Sequence, residues 1–121
     1  MRIILLSLLL YGLYLPTAPC DKIIGTWLTE DGEVITFSRN DQTYQGRLSQ
    51  LPEGDECPEC IGKIVFSNLK NENCQLEGFY VDVESEKQYP AEITFEKDVR
   101  MRVKVGSWWY SETVYLIKIN E

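Results

Sequence analysis

The chain has 121 residues, 19 Asp and Glu against 12 Lys and Arg, and a net charge of −7, which leaves room for one domain with an acidic surface. A field of that sign repels nucleic acid and anionic lipid and so argues against either as a partner. Histidine is absent, which removes the commonest general base and metal ligand and makes a Ser-His-Asp triad impossible.

Met1-Arg2 is followed by an apolar run over residues 3–15, then by Pro16 and small residues. That order of basic start, apolar core and small-residue exit is the layout of a secretory signal. The run is shorter than the ~20 residues a membrane-spanning helix needs. We therefore expect residues 1–20 to be a removable signal peptide and 21–121 to be the exported domain, periplasmic or extracellular, with no transmembrane span after cleavage. The preferred cut falls after Ala18-Pro19-Cys20. Lipidation of Cys20 is the second reading, because Pro19 is a poor residue to precede a lipidated cysteine. Loss of Arg2 leaves 11 basic against 19 acidic residues.

From residue 21 onward apolar and polar residues alternate in the period-two rhythm of strands. Eight are expected, over residues 23–29, 33–39, 43–51, 62–69, 75–83, 88–96, 99–105 and 108–119. Turn chemistry separates them at Glu30-Asp31-Gly32, Asn40-Asp41, Lys70-Asn71-Glu72-Asn73 and Lys97-Asp98. Such short links join antiparallel neighbours. Residues 89–95 put Tyr89, Ala91, Ile93 and Phe95 on one face, and residues 99–105 do the same with Val99, Met101, Val103 and Val105.

Eight strands with one apolar face each would leave two bare edges unless the sheet closes. The expected fold is therefore all-β, a single up-and-down antiparallel barrel of about eight strands, whose interior is filled or holds one small ligand. A half-open barrel or a β-sandwich is the alternative.

Ile24-Gly25-Thr26-Trp27-Leu28-Thr29-Glu30-Asp31-Gly32 resembles the opening of the bacterial secreted family called domain of unknown function 2147 (DUF2147). Gly46-Arg47-Leu48, Ile61-Gly62-Lys63-Ile64, Gly78-Phe79-Tyr80-Val81-Asp82 and Val103-Lys104-Val105-Gly106 extend the similarity along the chain. Where many relatives carry a cysteine before the residue matched by Gly46, this chain has Gln45, so the resemblance implies no disulfide pairing. It implies export, a bacterial source and a β-barrel, and assigns no active site. The Gly-x-Trp opening also resembles lipocalins and fatty-acid-binding barrels. By that resemblance Trp27 closes one end of the barrel beneath Lys118, a cation–π contact worth ~0.5–2 kcal/mol.

Trp27, Tyr44, Phe66, Tyr80, Tyr89 and Tyr115 are the aromatic residues expected to line the interior, as core or as a pocket for a small apolar or amphipathic molecule. Trp108 and Trp109 put large aromatics on both faces of the last strand, so one is a candidate contact for another envelope protein. Cys57-Pro58-Glu59-Cys60 lies in an acidic loop, where negative neighbours raise a thiol's pKa. A structural disulfide is therefore preferred to thiol–disulfide redox catalysis. The expected bond joins Cys57 or Cys60 to Cys74, and too few ligands stand together for zinc. No cofactor motif, paired-carboxylate signature or catalytic residue is singled out. The functional expectation is a non-enzymatic carrier of a small apolar ligand, followed by an envelope interaction module with a filled barrel, then by a thiol redox protein.

Overall fold

The computed structural model describes residues 19–107 and 109–120, excepting the side chain of Asn120. Most of the expected signal segment and Trp108 lie outside the described residues. Eight strands follow in chain order: β1 (Gly25–Thr29), β2 (Val34–Asn40), β3 (Thr43–Gln50), β4 (Ile64–Glu72), β5 (Gln75–Val81), β6 (Gln88–Lys97), β7 (Arg100–Ser107) and β8 (Tyr110–Asn120). Each pairs antiparallel with its neighbour, and β1 pairs with β8, so the sheet is a closed up-and-down barrel.

Two features of the chain make closure of so small a barrel possible. Register shifts bend β1, β2, β3, β4 and β6, which raises local twist and coils the sheet. One shift lies between Ser67 and Lys70, where Asn68 takes a positive φ of 52°. Directly across, Gly78 lets β5 approach so closely that an added Cβ would sit 2.6 Å from the Ser67 carbonyl oxygen.

The turn between β4 and β5 falls later than the sequence suggests. β4 runs on to Glu72, and the tight turn is made by Asn73 and Cys74, both at positive φ (55° and 62°). Asn71 Oδ1 stabilises it by accepting a 2.8 Å hydrogen bond from the Cys74 backbone N–H. Paired positive φ values match the twist of the flanking strands.

The two ends of the barrel differ. One end is plugged by a 3-10 turn ahead of β1 (Asp21–Ile23), which the strand rhythm did not foresee and which fully buries Ile23. Around it pack Trp27, Phe37, Tyr44, Leu69, Leu76, Ile93 and Met101, each no more than 2% exposed. Loops of residues 30–33, 51–63 and 82–87 surround the opposite, open end. Inward and outward residues alternate as the sequence predicts along β6 and β7, where Ala91, Ile93, Met101 and Val103 are buried.

Candidate functional site

The plugged end is built around Trp27. Its Nε1–H donates to the Ile23 carbonyl at 2.9 Å, holding the 3-10 turn beneath the ring. Lys118, the cross-strand partner of Trp27 on β8, places Nζ 5.6 Å from the indole centroid and donates to the Lys22 carbonyl at 3.0 Å. Lys22 in turn lies 4.9 Å from the Phe95 ring centroid and 3.7 Å from Asp98. Cation, ring and turn thus fasten this end.

The disulfides correct the expected pairing. Cys20 is bonded to Cys74, and Cys57 to Cys60. A bond from residues 57–60 to Cys74 is ruled out by topology: the 51–63 loop lies at the open end and Cys74 at the plugged end, with the nine residues of β4 between them, about 30 Å of strand. Cys20 is 1% exposed, and its backbone N–H donates to the Tyr44 hydroxyl at 2.9 Å. It is part of the folded core, which corrects the cut expected after Cys20: a chain cleaved there would lose the Cys20–Cys74 bond. A sulfur engaged in this disulfide also has no valence left for the thioether of a lipid anchor, the second reading of Cys20.

At the open end the interior is not filled. A cavity of about 320 Å³ opens between Ile35, Phe66, Tyr80, Val105, Val114 and Leu116. Phe37, Phe66 and Tyr80 form a ladder with successive ring centroids 5.5 Å apart, so the cavity has one aromatic wall. Its rim is acidic, formed by Glu30, Asp31, Glu33 and Glu112 with Thr29. A larger concavity of about 840 Å³ lies on the outer wall across β5, β6 and β7. It is an open saddle outside the barrel, lined by Phe79 and Pro90 as well as by Lys70, Glu77, Glu92 and Lys104, and it encloses nothing, so we do not take it as the site.

The β1–β2 turn sets the rim. Thr29 and Glu33 exchange hydrogen bonds: the Thr29 N–H donates to the Glu33 carbonyl at 2.9 Å, and the Glu33 N–H to Thr29 Oγ1 at 3.0 Å. Gly32, at a φ of 95°, makes the reversal. Glu33 then enters β2 in the phase of the inward residues Ile35 and Phe37, just as Glu112 shares the phase of Val114 and Leu116 on β8. Partial burial pushes the Glu33 carboxyl above its ordinary value, and the charges of Asp31 and Asp55 add to this. Burial likewise raises the Tyr80 phenol, helped by Glu33 and Asp82, so Tyr80 stays protonated. Glu112 accepts a 2.8 Å hydrogen bond from the Tyr110 hydroxyl, and Glu30 accepts one from the Tyr115 N–H at 3.0 Å.

The aromatic residues singled out in the sequence divide by position. Trp27 and Tyr44 are buried in the plugged half. Phe66 and Tyr80 line the cavity, and Tyr89, opposite Tyr80 on β6, faces inward at the open rim and is 39% exposed. Tyr115 is a correction: it points outward, with its ring under the Arg100 guanidinium at 4.2 Å. Trp109 is 73% exposed, 6.3 Å from the Tyr110 ring. The acidic rim is absent from the sequence expectations because no paired-carboxylate signature singles it out. The phase of Glu33 and Glu112 within their strands was the available signal.

Among the described residues no His, Cys, Asp or Glu cluster stands ready to hold a metal ion, and no helix is long and apolar enough to cross a membrane. No family model matches the chain, and no curated protein matches it in sequence. The fold is similar to that of a solved structure, protein HP1028 from Helicobacter pylori, described as belonging to the lipocalin family. The TM-score is 0.65 over 80% of this chain and 82% of that one, at 11% sequence identity.

Proposed function

We propose that this chain is a non-enzymatic binding protein that takes one small apolar or amphipathic molecule into the open end of its barrel. The observation that carries the reading is the half-empty interior. One end is sealed by the Trp27 plug, while the other encloses a cavity of about 320 Å³ walled by aliphatic and aromatic side chains. A small ligand site is typically such a concave apolar space with a few polar groups at its edge. The lipocalin-like fold supports the reading at the level of architecture. Two disulfides favour an oxidising compartment, in keeping with the exported, DUF2147-like character read from the sequence.

The test is titration with the neutral fluorophore N-phenyl-1-naphthylamine. Saturable enhancement with one site per chain is expected, abolished by Val114→Phe, which fills the cavity. Enhancement that survives that substitution, or none at all in the native protein, would count against the reading.

A second reading, an interaction module of the cell envelope, is favoured by the exposure of Trp109 at the rim. It predicts that Trp109→Ala abolishes association with an envelope protein and leaves small-molecule binding untouched. Redox use of Cys57 and Cys60 ranks third.

A further inference from the structure

We infer that the molecule bound in the open end carries a positive charge, an alkyl- or arylamine rather than a fatty acid. The inference rests on the carrier reading and specifies the head group that the cavity accepts.

The carboxylates by themselves would be only an acidic surface; what makes them a site is the enclosed apolar space that they rim. Glu33, one residue ahead of β2, and Glu112, on β8 in the phase of Val114 and Leu116, line the same cavity as Ile35, Val114 and Leu116. Among the described residues no lysine or arginine lines the cavity. An amphipathic molecule seated tail-first on Phe66 and Leu116 would bring its head to these acids.

The head group's other neighbours are also of the right kind. Tyr80 and Phe66 line the cavity, and the negative quadrupole of an aromatic ring attracts ammonium groups. The loops of residues 30–33, 51–63 and 82–87 carry ten carboxylates against Lys63 and Lys87. That one-signed field concentrates cations at the entrance and repels anions. Lys22 and Lys118, which a carboxylate head would need, are sequestered at the plugged end. Glu30 and Glu112 each accept a hydrogen bond already, but a carboxylate has about four acceptor sites, so both keep capacity for a donor.

A bound ammonium would relieve a repulsion that the empty site bears. Glu33 is partly desolvated and lies in the field of Asp31 and Asp55, which makes its ionisation unfavourable. A cation near it reverses that effect.

The experiment compares three probes with the same tail, n-octylamine, 1-octanol and octanoate, by calorimetric titration of the disulfide-intact chain at neutral pH and low salt. We expect octylamine to bind about ten-fold or more tighter than octanol, and octanoate to bind weakest, as expected for an ammonium held by the half-buried Glu33 and the other rim carboxylates at the mouth of an apolar cavity. Glu33→Gln and Glu112→Gln should each remove several-fold of the preference for octylamine over octanol. Glu72→Gln, an equal change of net charge at the plugged end, should leave both unchanged. If octanol binds as tightly as octylamine, or Glu72→Gln costs as much as the rim variants, the charge inference falls and the carrier reading stands. If none of the three binds, both fall.

Discussion

Cys20 is joined to Cys74 across the plugged end of the barrel, tying the residue ahead of the first 3-10 turn to the β4–β5 turn 54 residues further on. The bond closes most of the first half of the barrel into a loop. In the chain-entropy account a loop of this length stabilises by about 4 kcal/mol. Cys20→Ser, Cys74→Ser and the double variant should therefore each lose about 3–4 kcal/mol in urea unfolding, the double no more than either single. Cys57→Ser/Cys60→Ser, opening a loop of separation 3, should lose under about 2 kcal/mol. Intact mass of the protein purified from its native source should place its first residue at or before Cys20, without a lipid adduct.

The Trp27 plug is the costliest element to remove. Trp27→Ala deletes a fully buried indole and its hydrogen bond to Ile23, and about 3–5 kcal/mol should be lost. Lys118→Met keeps the aliphatic stem but removes the ammonium from both the ring and the Lys22 carbonyl, at about 1–2 kcal/mol. Chemical denaturation measures both, and a Lys118→Met variant as stable as the native chain would remove the cation from this account of the plug.

Gly78 is required by crowding rather than by its φ. An added Cβ would meet the Ser67 and Asn68 carbonyl oxygens at 2.6 and 2.7 Å. These are backbone atoms of a bulge, with little room to yield. Gly78→Ala should cost about 2–3 kcal/mol in thermal or urea unfolding, whereas alanine in an unobstructed strand position would be close to neutral or better.

Glu33 predicts a pH dependence of definite sign. Its carboxyl is raised in the folded chain by burial and by Asp31 and Asp55, so the folded state binds this proton more tightly than the unfolded state. The stabilisation this brings is fully present below the ordinary carboxylate value of about 4.3 and is lost as pH rises through the raised one. Relative to the native chain, Glu33→Gln should therefore be more stable at about pH 7, the gap closing towards about pH 4. A variant less stable at neutral pH would show that ionised Glu33 supports the fold.

What could be read in the sequence followed from how cleanly each strand alternates. β6 and β7 separate Ala91, Ile93, Met101 and Val103 from charged neighbours, and their burial is as the pattern implies. β8 has apolar residues on both faces: Val114 and Leu116 point inward, while Ile117 and Ile119 are 52% and 51% exposed. With no polar phase to mark the outside, Tyr115 was placed on the wrong side. The disulfides were illegible for a different reason. Which turns share an end depends on closure of the whole barrel, and Cys20 falls at the border of a segment that reads as removable. The acidic rim is concealed by a rule that is right for most surface carboxylates, the exposed Glu112 included, and fails for the half-buried Glu33.

The most direct test of the account is backbone-amide NMR of the isotope-labelled domain titrated with 1-octanol, which asks whether the open end of the barrel takes an apolar tail. The account predicts saturable shifts concentrated at Ile35, Phe66, Tyr80, Val105, Val114 and Leu116, with the plugged end around Ile23 and Trp27 unmoved. Shifts confined to the outer residues Phe79, Trp109 and Tyr110, or none at all, would contradict it.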